Sequence, residues 1–391
     1  MRRSVFYAFL AAAVISVSGD AAYAEDTLDI PVILPLTGGA AFLGKAEADA
    51  LQRYEKVVAA TGGVHGKTVH FLISDDTSSP QLAVQLLNEV KASNPPVVLG
   101  SALSALCNAM IPLVRRGPVM YCFSPSIQMP PDGYVFSSGV SVPSLADALL
   151  RYIEGRGWKK VAIITSSDAT GQDAQKNLKA LLDSGEFKDL TVVENVQFNP
   201  TDVSVSAQIQ RIKGANPDVL ITWASGAPIG TVFQGIRDAG LDVPVTTPNS
   251  NMTYAQMNQY AQFLPKDLYV PTSAWPKTDH PEPAAVTAAK DTFFKAYEGT
   301  NIKPDAPSTF AWDPAVMVVE ALRKLKPDAT ADELRDYLAN SQDFVGINGG
   351  YDFKSVPNRG IDKKNVLVTR WDPKGQAWVP VSEAMGVPFK N

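Results

Sequence analysis

From residue 28 onward the chain alternates between short apolar, β-branched runs and longer stretches whose apolar residues return every three or four positions. Residues 28–34, 68–74, 97–100 and 119–123 read as strands, with helices over 46–60, 81–92 and 106–115 between them. The alternation resumes with strands at 161–165, 191–196, 219–222 and 243–246, and helices near 145–153, 173–182, 205–212 and 229–239. Two successive β/α series of this kind predict two parallel sheets, each covered by helices on both faces. Gly62-Gly63, Pro95-Pro96, Asn216-Pro217 and Gly240 sit at the junctions, where turns need them.

The last third adds a strand at 268–272, helices at 283–297, 308–324 and 331–340, and strand-like runs at 350–353 and 366–370. Neither series needs these elements for itself. The simplest arrangement has the chain crossing between two lobes more than once.

A length of 391 residues with 45% hydrophobic content suits two domains, each able to close its own core. Mean hydropathy is -0.04, the formal charge is -5 and the isoelectric point is near 5.4. No basic field exists to attract nucleic acid or anionic lipid, so neither partner is expected.

The N-terminus has the form of an export signal. Arg2 and Arg3 precede a mostly apolar run from Val5 to Val17, and Ala22-Tyr23-Ala24 offers small residues where a signal peptidase reads them. Residues 1–24 are therefore expected to be a leader cleaved after Ala24. The run is shorter than the roughly 20 residues of a membrane span. No cysteine lies within it to carry a lipid, which predicts a protein free in the periplasm. Cleavage removes Arg2, Arg3 and Asp20, leaving 33 basic and 39 acidic residues and a net charge of -6.

Cys107 and Cys122 are the only two cysteines. In an oxidising compartment a lone pair is either a disulfide or two buried thiols. In a parallel sheet the start of the helix at 106–115 lies beside the ends of the strands flanking it, which favours a bond closing a short loop.

Several motifs suggest chemistry that their context does not sustain. Gly39 to Lys45 fits the G-x-x-x-x-G-K phosphate-binding pattern, but Ala46 offers no hydroxyl for magnesium and export leads away from ATP. His65, His70 and His280 lack metal-ligand spacing, and no metal or cofactor is expected. No G-x-S-x-G elbow occurs, and Cys107 has no evident histidine partner, so a periplasmic α/β enzyme is the weaker reading. Asp76 reads more simply as a loop acid or helix cap than as a general base.

The chain resembles the leucine/isoleucine/valine-type periplasmic binding proteins of ABC transporters over nearly its whole mature length. Leu34-Pro35-Leu36-Thr37-Gly38 with Gly44, Gly62 to Gly66, and Asp75 to Pro80 match the family's opening segments in order and spacing. Phe310-Ala311-Trp312-Asp313, Phe344 to Gly346, Tyr351-Asp352-Phe353 and Asn358-Arg359 match its later ones. The resemblance implies an α/β fold of two Rossmann-like lobes joined by three crossover strands. Lobe I would comprise 25–139 plus 272–345, and lobe II 140–271 plus 346–391. It implies a monomer that binds a small molecule between the lobes, catalyses nothing and is read by an inner-membrane permease. A sensory input protein would look the same.

Carried over residue by residue, Phe42 or Leu43 would cover the ligand from a loop. Ser101 to Ser104 would offer hydroxyls and backbone N–H groups to a carboxylate, with Ser126, Ile127 and Gln128 along the same wall. Thr170 and Gly226 stand where amino-acid binders often place aromatics, and Asn249 where they commonly carry the acid that pairs with the α-ammonium. An unpaired buried ammonium is costly, so the expected guest is a carboxylate without an amine, an aromatic acid favoured. Trp223 would supply an apolar wall or pack in the core, and Asp168 would substitute for the missing acid or cap a helix. A branched-chain amino acid is the alternative guest.

Overall fold

The computed structural model describes residues 27–389 except 128, 131, 132 and 279. The predicted leader and Gln128 lie outside the described residues.

The first series runs β1 (Thr27–Leu34), α1 (Ala41–Ala60), β2 (Thr68–Asp75), α2 (Pro80–Lys91), β3 (Val97–Gly100), α3 (Ser104–Met110), β4 (Val119–Cys122) and β5 (Val135–Ser137). Its strands form one parallel sheet in the order β2-β1-β3-β4-β5. β3 and β4 are buried at every position, as expected of strands covered on both faces.

The second series runs α4 (Val142–Gly155), β6 (Lys160–Ser166), α5 (Ala169–Asp183), β7 (Thr191–Phe198), α6 (Ser206–Gly214), β8 (Val219–Trp223), α7 (Pro228–Ala239), β9 (Val245–Thr246), α8 (Tyr254–Gln259) and β10 (Leu268–Ser273). There follow α9 (Ala284–Lys295), α10 (Ala306–Lys324), α11 (Ala331–Ala339), β11 (Phe344–Gly346), β12 (Gly349–Tyr351), β13 (Val366–Asp372) and β14 (Ala377–Pro380). The second sheet has the order β14-β13-β10-β9-β8-β6-β7, with β13 and β14 antiparallel at one edge. β11 and β12 form a small antiparallel pair. No helix among the described residues is long and apolar enough to cross a membrane.

Local chemistry sets many boundaries. Ser79, Ser141, Asp168 and Thr253 accept backbone N–H bonds as N-caps of α2, α4, α5 and α8, while Asp305 and Thr330 close capping boxes on α10 and α11. Helix α1 begins at Ala41 rather than 46, which places Phe42 and Leu43 in its first turn and not in a loop. Gly44 allows this. A Cβ there would stand 2.2 Å from the Pro35 carbonyl oxygen, so the residue resembling part of a phosphate loop is a close-packing point.

Ser137 donates its N–H to the Asn358 carbonyl, Asn358 Nδ2 donates to Val135, and Phe353 packs on Phe136. Phe353 and Asn358 thus pack against β5 at the edge of the first sheet. Asp313 of α10 secures the β11–β12 turn. Its buried carboxylate accepts from the backbone of Ile347 and Asn348, from Asn348 Nδ2 and from the Tyr351 hydroxyl, at 2.8–3.2 Å. Burial pushes its pKa up, and the donors oppose that shift.

Candidate functional site

Where the C-terminal ends of the two parallel sheets face each other, the chain encloses a narrow cavity. Leu43 comes from α1, Ala102 and Leu103 follow β3, and Phe123 to Ser126 follow β4. From the second series come Thr170, Trp223, Ser225 and the loop Pro248 to Ser250, with Val142 and Leu145 of α4. Phe310 of α10 completes the wall. Strand order reverses at β1 between β2 and β3, and at β6 between β7 and β8. The cavity thus sits outside the strand ends at both switch points, where open α/β sheets bind ligands. About 20 Å³ is open to the centre of a water molecule, so a larger guest enters only if the walls part.

The predicted residues divide. Leu43, Ser126, Thr170, Trp223 and Asn249 are brought together on the cavity. Trp223 is also a member of the hydrophobic core, so it serves both roles. Phe42 turns instead onto the Tyr260 ring, with centroids 6.2 Å apart. Ser101 donates its hydroxyl to Asp76 at 2.7 Å, and the Ser104 hydroxyl pairs with Ser124 at 2.7 Å, so neither lines the cavity. Ile127 packs in the core around Ile33, Val98 and Met120. Gly226 holds φ +79°, and a Cβ on it would lie 2.5 Å from the Gly39 carbonyl, which excludes an aromatic there. Asp168 caps α5 through Gly171 N–H at 3.0 Å and does not face the cavity. Cys107 and Cys122 form a disulfide with Cα atoms 6.2 Å apart.

Polar groups on the cavity remain available. Asn249 is 2% exposed, and its side chain makes no hydrogen bond among the described residues. The Ser126 hydroxyl is buried and meets no hydrogen-bond geometry among the described residues, but it lies close enough to Asp173 to oppose the rise that burial gives that carboxyl. Leu103 stands at the N-cap of α3, so no side chain caps that helix, although the Leu106 N–H is bonded to the Leu103 carbonyl at 3.1 Å. Ser225 and Ser250 pair with each other at 2.7 Å.

Three buried acids lie near this end of the first sheet, but none lines the cavity. Burial raises the Asp76 carboxyl to about 6 against the pull of the Ser101 hydroxyl, and burial raises Asp305 to about 7. Glu47 of α1 has no hydrogen-bond partner, and burial together with Asp76 and Asp305 pushes it well above the carboxylate range. Among the described residues, no group of three or more His, Cys, Asp or Glu side chains is arranged to hold a metal ion.

A family model described as periplasmic binding protein matches residues 27–376. The chain belongs to the periplasmic binding proteins. It is similar to a Leu/Ile/Val-binding protein homolog of Brucella melitensis, 25% identical over 58% of this chain and 61% of the relative, so it spans about three-fifths of that protein's length. A branched-chain amino acid transporter substrate binding protein from Streptococcus pneumoniae, solved with isoleucine, shares the fold with a TM-score of 0.76. It is 20% identical, over 91% of this chain and 99% of that one. A solute binding protein of an ABC transporter from R. palustris, solved with benzoate, has a TM-score of 0.77. Its identity is 19%, over 93% of this chain and 98% of that one.

In this periplasmic binding protein, sequence reasoning missed Phe310, Phe123, Ser225 and Ser250 as cavity residues. Phe310 carried a signal, since it opens the Phe-Ala-Trp-Asp run. The serines carried none, because only the meeting of β8 and β9 loops brings them together.

Proposed function

We propose that this periplasmic binding protein captures a small carboxylate lacking an amine, an aromatic acid favoured, in the cavity between two lobes. In this reading lobe I is 25–139 with 272–345 and lobe II is 140–271 with 346–391. The loaded protein is monomeric and periplasmic, and delivers its guest to an inner-membrane ABC permease.

One observation carries the choice of guest: among the described residues no acidic side chain lines the cavity, and the Asn249 amide there makes no hydrogen bond with any of them. An ammonium held in this cavity would lose its hydration without gaining a counter-charge, a loss of several kcal/mol. A carboxylate fits better. The Ser126 hydroxyl and the Asn249 amide can each donate to it. Phe123, Trp223 and Phe310 offer faces to an aromatic ring. The neighbour solved with benzoate supports this reading, whereas the relative named for leucine, isoleucine and valine supports a hydrophobic amino acid instead.

Calorimetry decides between them. The purified protein should bind benzoate-like acids tightly and leucine or valine weakly. Tight leucine or valine binding with no response to benzoate-like acids would overturn the proposal.

A further inference from the structure

Two cations are buried among the described residues, Lys290 and Arg359. Lys290 is neutralised by Glu282 at 2.5 Å. Arg359 is 4% exposed and forms no ion pair within 4.0 Å among the described residues. The hydrogen-bond acceptors of its guanidinium among the described residues are all neutral. Nη1 donates to the Ser137 hydroxyl at 2.8 Å and to the Gly139 carbonyl at 3.0 Å, and Nη2 donates to the Pro125 carbonyl at 3.0 Å.

Those acceptors connect it to the cavity. Pro125 lines the wall directly. Ser137 passes the contact on, because its hydroxyl donates to the carbonyl of Ser124, another wall residue, at 2.8 Å. Gly139 belongs to the first crossing between the sheets. A single side chain therefore ties that crossing to the wall formed after β4.

Burial lowers the Arg359 pKa to about 10, which leaves the group charged at neutral pH. Among the described residues, the acid that acts on the guanidinium is Asp173 of α5, which also interacts with Ser126. A desolvated charge without a counter-ion is unfavourable by itself, and an anion arriving in the adjacent cavity would offset it.

We propose that Arg359 sets the charge selectivity of the cavity: its buried, un-neutralised guanidinium, held behind the Pro125 carbonyl, favours a monoanionic guest over a neutral one of the same shape. This rests on the carboxylate reading above and names the group that enforces it. The hydrogen bonds to Pro125 and Ser137 position the wall, and the charge selects what the wall accepts.

The test uses acid and amide pairs of matched shape, benzoate with benzamide and isovalerate with isovaleramide, titrated calorimetrically into the full-length mature protein. Arg359→Met should weaken the acid at least about tenfold and leave the amide within about twofold. Arg359→Lys should keep most of the preference for the acid. Equal weakening of acid and amide, or no change in either, overturns charge selection and leaves a positioning role alone. Where Arg359→Met does not fold, Asp173→Asn decides. Removing that negative charge should raise the acid-to-amide affinity ratio several-fold, and an unchanged ratio overturns the proposal. Wild-type protein that binds neither acid overturns the carboxylate reading and this proposal together, whereas wild-type binding with indifferent variants overturns this proposal only.

Discussion

The carbonyl oxygen of Gly39, beyond the end of β1, lies 2.5 Å from the point where a Cβ on Gly226 would stand, beyond the end of β8. The next N–H, that of Ala227, donates to the same oxygen at 3.0 Å. The two sheets thus meet through a backbone contact that only a residue without a side chain allows, and φ +79° makes glycine doubly suitable. In Gly226→Ala the methyl should hold Gly39 away and break the Ala227 bond. Ligand affinity measured by calorimetry should fall at least about tenfold, while the circular dichroism spectrum stays that of the wild type. Unaltered affinity would show that this contact has no part in closing the cavity.

Asn249→Asp supplies the acid that the cavity lacks. The new carboxylate should repel an anionic guest and offer a counter-charge to an ammonium. Benzoate-like acids should bind at least about tenfold more weakly, and leucine or valine more tightly than in the wild type. A thermal-shift panel of both classes reads this directly, since stabilisation follows RT ln(1 + [L]/Kd). Retained benzoate affinity would place the guest's charge away from this loop.

Asp305 makes stability depend on pH in a defined direction. Its carboxyl is raised to about 7 in the folded protein, chiefly by burial, against an ordinary value of 3.8. Between those values the native state holds a proton that the unfolded chain has lost. The favourable contribution is therefore complete at low pH and is lost as pH rises toward 7, at up to roughly 1.4 kcal/mol per pH unit. Asp76, raised to about 6, acts in the same sense. Asp305→Asn keeps an N-cap acceptor for α10 and removes the titration. Denaturant unfolding at pH 5 and pH 8 should show a smaller loss of stability in the variant than in the wild type; an equal or larger loss would contradict the assignment.

The disulfide closes a loop with a sequence separation of 15. Chain-entropy arguments put its contribution at roughly 3 kcal/mol. The double variant Cys107→Ser with Cys122→Ser should unfold at a correspondingly lower denaturant concentration with a similar slope. A midpoint equal to that of the oxidised wild type would show that the bond adds nothing.

Much of the architecture was legible from local pattern. Apolar runs such as Val97 to Gly100 and amphipathic stretches such as 229–239 specify strand and helix without reference to distant residues, and their alternation implies parallel sheets. Local pattern did not read β5, β11 and β14, which span 3, 3 and 4 residues, as strands of the two series, whereas the equally short β3 and β4 stood out because every position in them is buried and apolar or glycine. β5 and β14 lie at sheet edges, and β11 pairs only with β12.

The cavity separates the two kinds of information more sharply. Leu43, Ser126, Thr170, Trp223 and Asn249 follow strand ends or open helices, and the resemblance to the binding-protein family pointed to them at the ligand-facing end. Whether a hydroxyl there is free depends on partners far along the chain. Ser101 is taken up by Asp76 and Ser104 by Ser124, while Ser126 is left open. Arg359 entered the sequence reading only as part of the Asn358-Arg359 match, and its place behind Pro125, 234 residues earlier in the chain, is set by the fold. Periodicity is a property of neighbours along the chain. The direction of a side chain, its burial and its choice of hydrogen-bond partner are settled only when separate elements meet.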